Sequence, residues 1–158
     1  TVCGYSSRQR LDVVVNIFTN LAFNKRAIKV FGGKQLRPNI HIKDMINAYK
    51  ILLEAPKDKV SGEIFNAGYD NLSVENLAKA VKNIIGKDVE LINIPSNDNR
   101  SYHISSKKIK KILKFESRHT IEEAINDLKK AFEKGLLPDS MKDEKYFNIK
   151  KMQKINLK

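Results

Sequence analysis

Residues Ile28 to Asp44 read I-K-V-F-G-G-K-Q-L-R-P-N-I-H-I-K-D. Two short β-prone runs, Ile28 to Phe31 and Asn39 to Ile42, flank a Gly32-Gly33 pair that permits positive φ and therefore a turn. Pro38 has no amide donor, so the second run is expected as an edge or connecting strand. Asp44 stands at the head of an amphipathic run through Leu53, which Pro56 terminates. Glycine lets backbone approach a phosphate, and the planar guanidinium of Arg37 matches two of its oxygens, so the stretch offers local architecture for an anionic ligand. A hairpin carrying a surface arginine fits the same pattern.

Toward the N-terminus, Val13, Val14, Ile17, Phe18, Leu21 and Ala22 fall on one helical face, with Asp12 as candidate N-cap. Arg8 and Arg10 precede it and form a second cationic group near a helix start. Arg10 can equally pair with Asp12. Toward the C-terminus, Gly62 to Gly68 reads as a strand, Ser73 caps a helix through Ile85 with Gly86 as its stop, and Val89 to Ile94 alternates as a strand. Ser105 or Ser106 is expected to cap a lysine-rich helix through Leu113. Thr120 and Glu123 spell a capping box for a helix reaching about Lys134. Between these lies Asp98-Asn99-Arg100-Ser101-Tyr102, a loop that can clamp a phosphate and cover a base or sugar, or simply be solvated. Helices alternating with short strands give an α/β or α+β class.

At 158 residues and 41% hydrophobic, the chain supports one domain. Residues 1–138 form the expected body and 139–158 a basic, partly ordered tail. No apolar run is long enough to span a membrane, and the first residues lack the basic-then-apolar pattern expected of a secretory signal. Cys3 is the only cysteine, expected as a small buried hydrophobe; together these features predict a cytoplasmic protein without a membrane partner. The net charge of +12 raises nucleic acid as a partner, but its source is lysine mixed with acids along the chain, and arginines are few. A solvated lysine surface is favoured. His41, His103 and His119 are too scattered for a metal pattern, and His41 reads better as a structural histidine than as a ligand contact.

In this order the blocks resemble the C-terminal half of NAD-dependent nucleotide-sugar epimerases and dehydratases, within the extended short-chain dehydrogenase/reductase superfamily. The family's T-V-x-G-x-S-P-R-x-R-x-D and V-V-N are met by Thr1 to Asp12 and Val14-Val15-Asn16, with Ser7 where proline is usual. Its G-G-x-Q-x-R-x-x-I-H-V-x-D is met by Gly32 to Asp44. Its F-N-x-G and S-V-x-x-L-A are met by Phe65 to Gly68 and Ser73 to Ala78, and its D-x-R-x-Y-x-x-S-x-x-K-I by Asp98, Arg100, Tyr102, Ser105, Lys108 and Ile109.

The resemblance implies an α/β fold, the C-terminal part of an extended Rossmann-type enzyme with a small mixed α+β substrate-binding lobe. It implies that Arg37 and Arg100 grip the diphosphate of a nucleoside-diphosphate sugar, while Asn16 and the Ser6 to Arg10 loop, including Arg8 and Arg10, line the sugar or nucleotide pocket. Tyr102 belongs to the same substrate-binding set. The family's Gly-rich NAD-binding turn and its tyrosine-lysine catalytic pair have no counterpart in these residues. Tyr146 and Lys150 spell Y-x-x-x-K, but outside the family's order, and are rejected as that pair. No catalytic residue is therefore assigned. The expectation is a substrate-binding portion, inactive alone, with NAD(P) bound only in the complete enzyme, a separate N-terminal half as candidate partner, and a homodimer conceivable for the whole. The alternative is a non-catalytic basic module for nucleic acid or another acidic partner.

Overall fold

The computed structural model describes residues 1–97 and 100–156. Asp98 and Asn99 of the polar loop, and Leu157 and Lys158 of the tail, lie outside the described residues. The elements run β1 (Val2–Cys3), α1 (Val14–Lys25), β2 (Ala27–Phe31), β3 (Leu36–His41), α2 (Ile42–Glu54), α3 (Lys57–Val60), β4 (Asp70–Ser73), α4 (Val74–Ile85), β5 (Glu90–Ile94), α5 (Lys107–Leu113), α6 (Ile121–Glu133) and α7 (Asn148–Lys154), with a 3-10 turn at Glu144–Tyr146 before α7.

The described strands make two sheets. One has the order β1-β3-β4; the other pairs β2 with β5 in parallel, from Ala27↔Glu90 to Phe31↔Ile94. The Gly32-Gly33 turn is therefore no hairpin, because β2 and β3 lie in different sheets. β2 buries Ile28 and Val30 on one face under α1 and α4, and the connection through helices brings β5 alongside as a parallel partner.

β3 pairs antiparallel with β4 over Leu36 to Asn39, then parallel with β1 at Ile40 and His41. Pro38 sits at this changeover. Its carbonyl accepts from the Thr1 ammonium at 2.6 Å, on the side where β1 has not yet begun, so its missing N–H leaves no gap in the ladder.

The main core lies where α1, α4 and α6 meet the β2-β5 sheet, and buries Val15, Phe18, Ile28, Leu77, Val81 and Ile125. Sequence signals at two helix starts hold: Ser73 Oγ accepts from the Asn76 N–H, and Thr120 with Glu123 forms the reciprocal capping box. Two others are corrected and a third is refined. Asp12 does not cap α1, whose N-cap is Val13; its carboxylate is taken by Arg10 and by the Asn148 N–H. His41, not Asp44, caps α2, its Nδ1 accepting from the Lys43 N–H at 3.1 Å. At α5 the expected pair is divided: Ser106 holds the N-cap position with its hydroxyl on the Gly68 backbone, while Ser105 Oγ accepts from the Lys107 N–H at 3.4 Å.

Gly62 to Gly68 is not a strand. No ladder among the described strands includes it, and the Gly68 carbonyl and amide are satisfied by the hydroxyls of Ser106 and Ser117. Beyond Pro138, Ser140 is buried against Asn20, and Tyr146 is buried with its phenol donating to the Pro138 carbonyl. Cys3 is buried, as a small hydrophobe should be, and burial pushes its thiol up to about 12.

Candidate functional site

Two cavities lie against α1. A polar one of about 520 Å³ is lined by Gly4, Ser6, Arg8, Arg10, Asn16 and Tyr102, among others. A larger one of about 700 Å³ is mostly apolar, bounded by Ile17, Phe18, Leu21, Phe31 and Ile92, with Arg37 in its wall. Arg37 and Tyr102 join them, the guanidinium carbon lying 5.7 Å from the ring centroid. Arg37 also donates to the carbonyls of Leu36 and Arg100.

Local hydrogen bonds shape both walls. Asn16 is buried, accepting from the Gly4 N–H at 3.3 Å and donating to the Arg10 carbonyl at 2.8 Å. Gln9, also buried, accepts from the Ser6 N–H and donates to the carbonyls of Gly4 and Arg10. These two amides set the curvature of the Gly4 to Arg10 loop. Opposite, the segment carrying Arg100 and Tyr102 is pinned by Ser101 Oγ on the Leu36 N–H and by the Asn71 side chain on both backbone groups of Ile104.

The six sequence-predicted residues are thus not equivalent. Arg8, Arg10, Asn16 and Tyr102 line the polar cavity, Arg37 lines the apolar one, and Arg100 is exposed and reaches the group through its carbonyl. Arg10 is neutralised by Asp12 at 2.5 Å, and Arg8 donates to Gln9 and Asn148. The glycine turn is not an anion cradle. The Gly33 N–H is taken by Gln35 Oε1 at 2.6 Å and the Gly32 N–H by the Ile94 carbonyl at 2.9 Å, so neither amide is left for a phosphate.

Sequence reading missed a second polar group behind the polar cavity. The Asp44 carboxylate is buried and accepts from the backbone N–H groups of Arg118 and His119 and from His119 Nδ1 at 2.9 Å. Burial pushes this carboxyl up, and those three hydrogen bonds outweigh it, holding it below its ordinary value. His41 stacks on His119 with centroids 4.9 Å apart, and its buried Nε2 lies 3.4 Å from Asp127 Oδ2. Burial lowers His41, an effect Asp127 opposes only in part. The group touches the polar cavity through Gly4: with φ at +100°, a Cβ there would stand 3.1 Å from His41 Nε2. No group of described residues has the makeup of a metal site.

With this geometry in hand, residues 1–68 match the NAD dependent epimerase/dehydratase family. The resemblance carried by the motifs is borne out. The UDP-glucose 4-epimerase of Thermotoga maritima, solved with UDP-glucose, is 26% identical with a TM-score of 0.72, over 85% of this chain and 45% of that one. The UDP-glucuronic acid 4-epimerase of Bacillus cereus, solved with UDP-glucuronic acid and NAD, is 21% identical with a TM-score of 0.69, over 82% of this chain and 43% of that one. The dTDP-glucose 4,6-dehydratase of Streptomyces venezuelae, solved with NAD, is 14% identical with a TM-score of 0.71, over 89% of this chain and 45% of that one. The last two likenesses concern the fold alone. The chain spans less than half the length of the solved structures it matches.

Proposed function

We propose that this chain is the substrate-binding portion of an NAD-dependent nucleotide-sugar epimerase or dehydratase, acting in the cytoplasm. The observation that carries the reading is the Arg37–Tyr102 contact between an apolar and a polar cavity. A nucleoside-diphosphate sugar has the same order of chemistry: a flat base, a dianionic linker and a hydroxyl-rich ring. The base lies in the apolar cavity, the diphosphate at Arg37 and Arg100, and the sugar against Arg8, Arg10 and Asn16. A guanidinium braced by a ring and a carbonyl loses little rotamer freedom on gripping a phosphate.

These residues do not fit a dinucleotide. The amides of the Gly32-Gly33 turn are spent inside the protein, and no other Gly-Gly or G-x-G turn stands in the sequence. We assign the NAD(P) of the complete enzyme, and its hydride chemistry, to a separate cofactor-binding half. Two features support a partner of that kind. β1 is an edge of its sheet, and α2 carries an outward stripe of Ile46, Tyr49 and Leu53, the last 87% exposed. The nucleic-acid alternative is less well supported: Lys43, Lys79, Lys108 and Lys110 each pair with a neighbouring carboxylate rather than forming a basic groove.

Calorimetry with UDP-glucose and dTDP-glucose tests the reading, using the chain mixed with the cofactor-binding half of the Thermotoga maritima epimerase. Binding of one sugar in the sub-millimolar range is expected, weakened at least about tenfold by Arg37→Ala. Equal affinity of both versions overturns the pocket. Retention of an oligonucleotide that weakens steeply with salt would favour the alternative.

A further inference from the structure

Residues 145–158 read K-Y-F-N-I-K-K-M-Q-K-I-N-L-K, with five lysines and no carboxylate. Its helix α7 sorts these residues by face. At about 100° per residue, Ile149, Met152 and Ile155 fall on one arc, and Lys150, Lys151 and Lys154 on the other. The apolar arc is bare: Ile149 is 64% exposed, Met152 47% and Ile155 53%. Lys154 pairs with Glu144 Oε2 at 2.9 Å, and the start of the helix is fastened to the body. There the Asn148 N–H donates to Asp12 Oδ2 at 2.9 Å, Arg8 donates to Asn148 Oδ1 at 3.2 Å, and Phe147 packs beside Leu11, Phe132 and Tyr146. The proposed sugar-binding site uses none of the residues beyond Asn148.

We infer that α7 is an interfacial anchor for an anionic lipid surface. A nucleic acid would answer the lysines and leave the apolar arc without a counterpart. A bilayer interface supplies both layers at once, anionic headgroups for Lys150 and Lys151 and an acyl boundary for Ile149, Met152 and Ile155. Two helical turns bury too little for permanent insertion, so attachment is reversible and salt-sensitive. No described helix is long and apolar enough to cross a membrane, and the sequence reading gave this segment no membrane partner. That reading weighed spans only, and an arc of three residues separated by lysines escapes a search for apolar runs. Because Arg8 and Asp12 hold the first residue of the helix, the anchor also brings the mouth of the polar cavity to the lipid surface.

Flotation of the whole chain tests this with vesicles of phosphatidylcholine containing about one third phosphatidylglycerol, against phosphatidylcholine alone. The expected result is at least about tenfold more protein on the anionic vesicles, falling as salt rises. Ile149→Asp with Met152→Asp should lose most of that binding while the melting curve by circular dichroism stays in place. The chain has no tryptophan, so Met152→Trp introduces a single indole whose emission should shift to the blue on anionic vesicles. Undiminished binding of the double variant, or an indole that does not shift, overturns insertion in favour of adsorption by lysine alone. Retention on duplex oligonucleotide without vesicle binding overturns the lipid assignment and gives the surface to nucleic acid.

Discussion

Arg37 and Asp44 belong to one short corner, a strand and the helix that continues from it, yet they live in opposite surroundings. The Arg37 guanidinium stands between two open cavities, touching Tyr102 and the Arg100 carbonyl. The Asp44 carboxylate is sealed away, and every bond it makes is to the segment that leads into α6. One end of the stretch faces solvent and a prospective ligand; the other ties the strand to a helix more than seventy residues later. A charged residue in a motif is thus no guide to function until its burial is known, because a buried carboxylate is retained for the amides it satisfies.

Substitutions can break this contrast. Asp44→Ala strands two backbone N–H groups and His119 Nδ1, and should cost about 3 kcal/mol of stability in urea unfolding at neutral pH. A loss no greater than that of a surface substitution would place the joint elsewhere. Asn16→Ala removes the bridge from Gly4 to Arg10 and should cost about 2 kcal/mol, with weakened sugar binding as the polar cavity loses its shape. This residue lies on the boundary of the two regions, and its effect on both readouts measures how far they are coupled. Thr120→Ala opens the capping box beside the joint and should cost about 1 kcal/mol, with Asp44 still bound to Arg118 and His119.

Acid separates the regions in another way, with the smallest effect. His41, held below its ordinary value of 6.5, stays neutral in the fold while the unfolded chain takes up a proton. Its stabilising effect is full above pH 6.5 and drains as pH falls below it. The groups around it are Asp127, Lys43, His119 and Asp44, and the lowered Asp44 carboxyl adds a second loss below 3.8. Melting temperature should therefore decline in two stages. His41→Asn, which keeps a cap acceptor, should flatten the upper stage alone; persistence of that stage would assign it to another histidine.

Helices were legible wherever a local signal decided them, as at Ser73 and in the Thr120–Glu123 box, because a cap and an apolar period lie within a few residues. Strands were legible as segments, but their partners were not. Gly32-Gly33 looked like a hairpin because the signal for a tight turn is local, whereas the pairing of β2 with β5 is decided by which faces need covering. The cationic and aromatic residues of the candidate site could be named from the motifs. Their division between two cavities could not, since it depends on β3 crossing from one sheet partner to the other. Gln9 and His119 were invisible for a related reason: nothing near either residue in sequence hints that the Gln9 amide turns back onto the Gly4 carbonyl or that the His119 ring meets the distant Asp44 carboxylate.

Gly4 separates the cavity wall from the buried histidine by the width of one absent methyl group. Anyone reshaping this pocket inherits that thin partition. A side chain at position 4 would have to adopt a backbone that L-residues rarely take and also press on His41, so the change would reach the start of α2 before it reached a ligand. The tolerant positions for recoding specificity are the exposed arginines and Tyr102, whose replacement leaves this partition untouched.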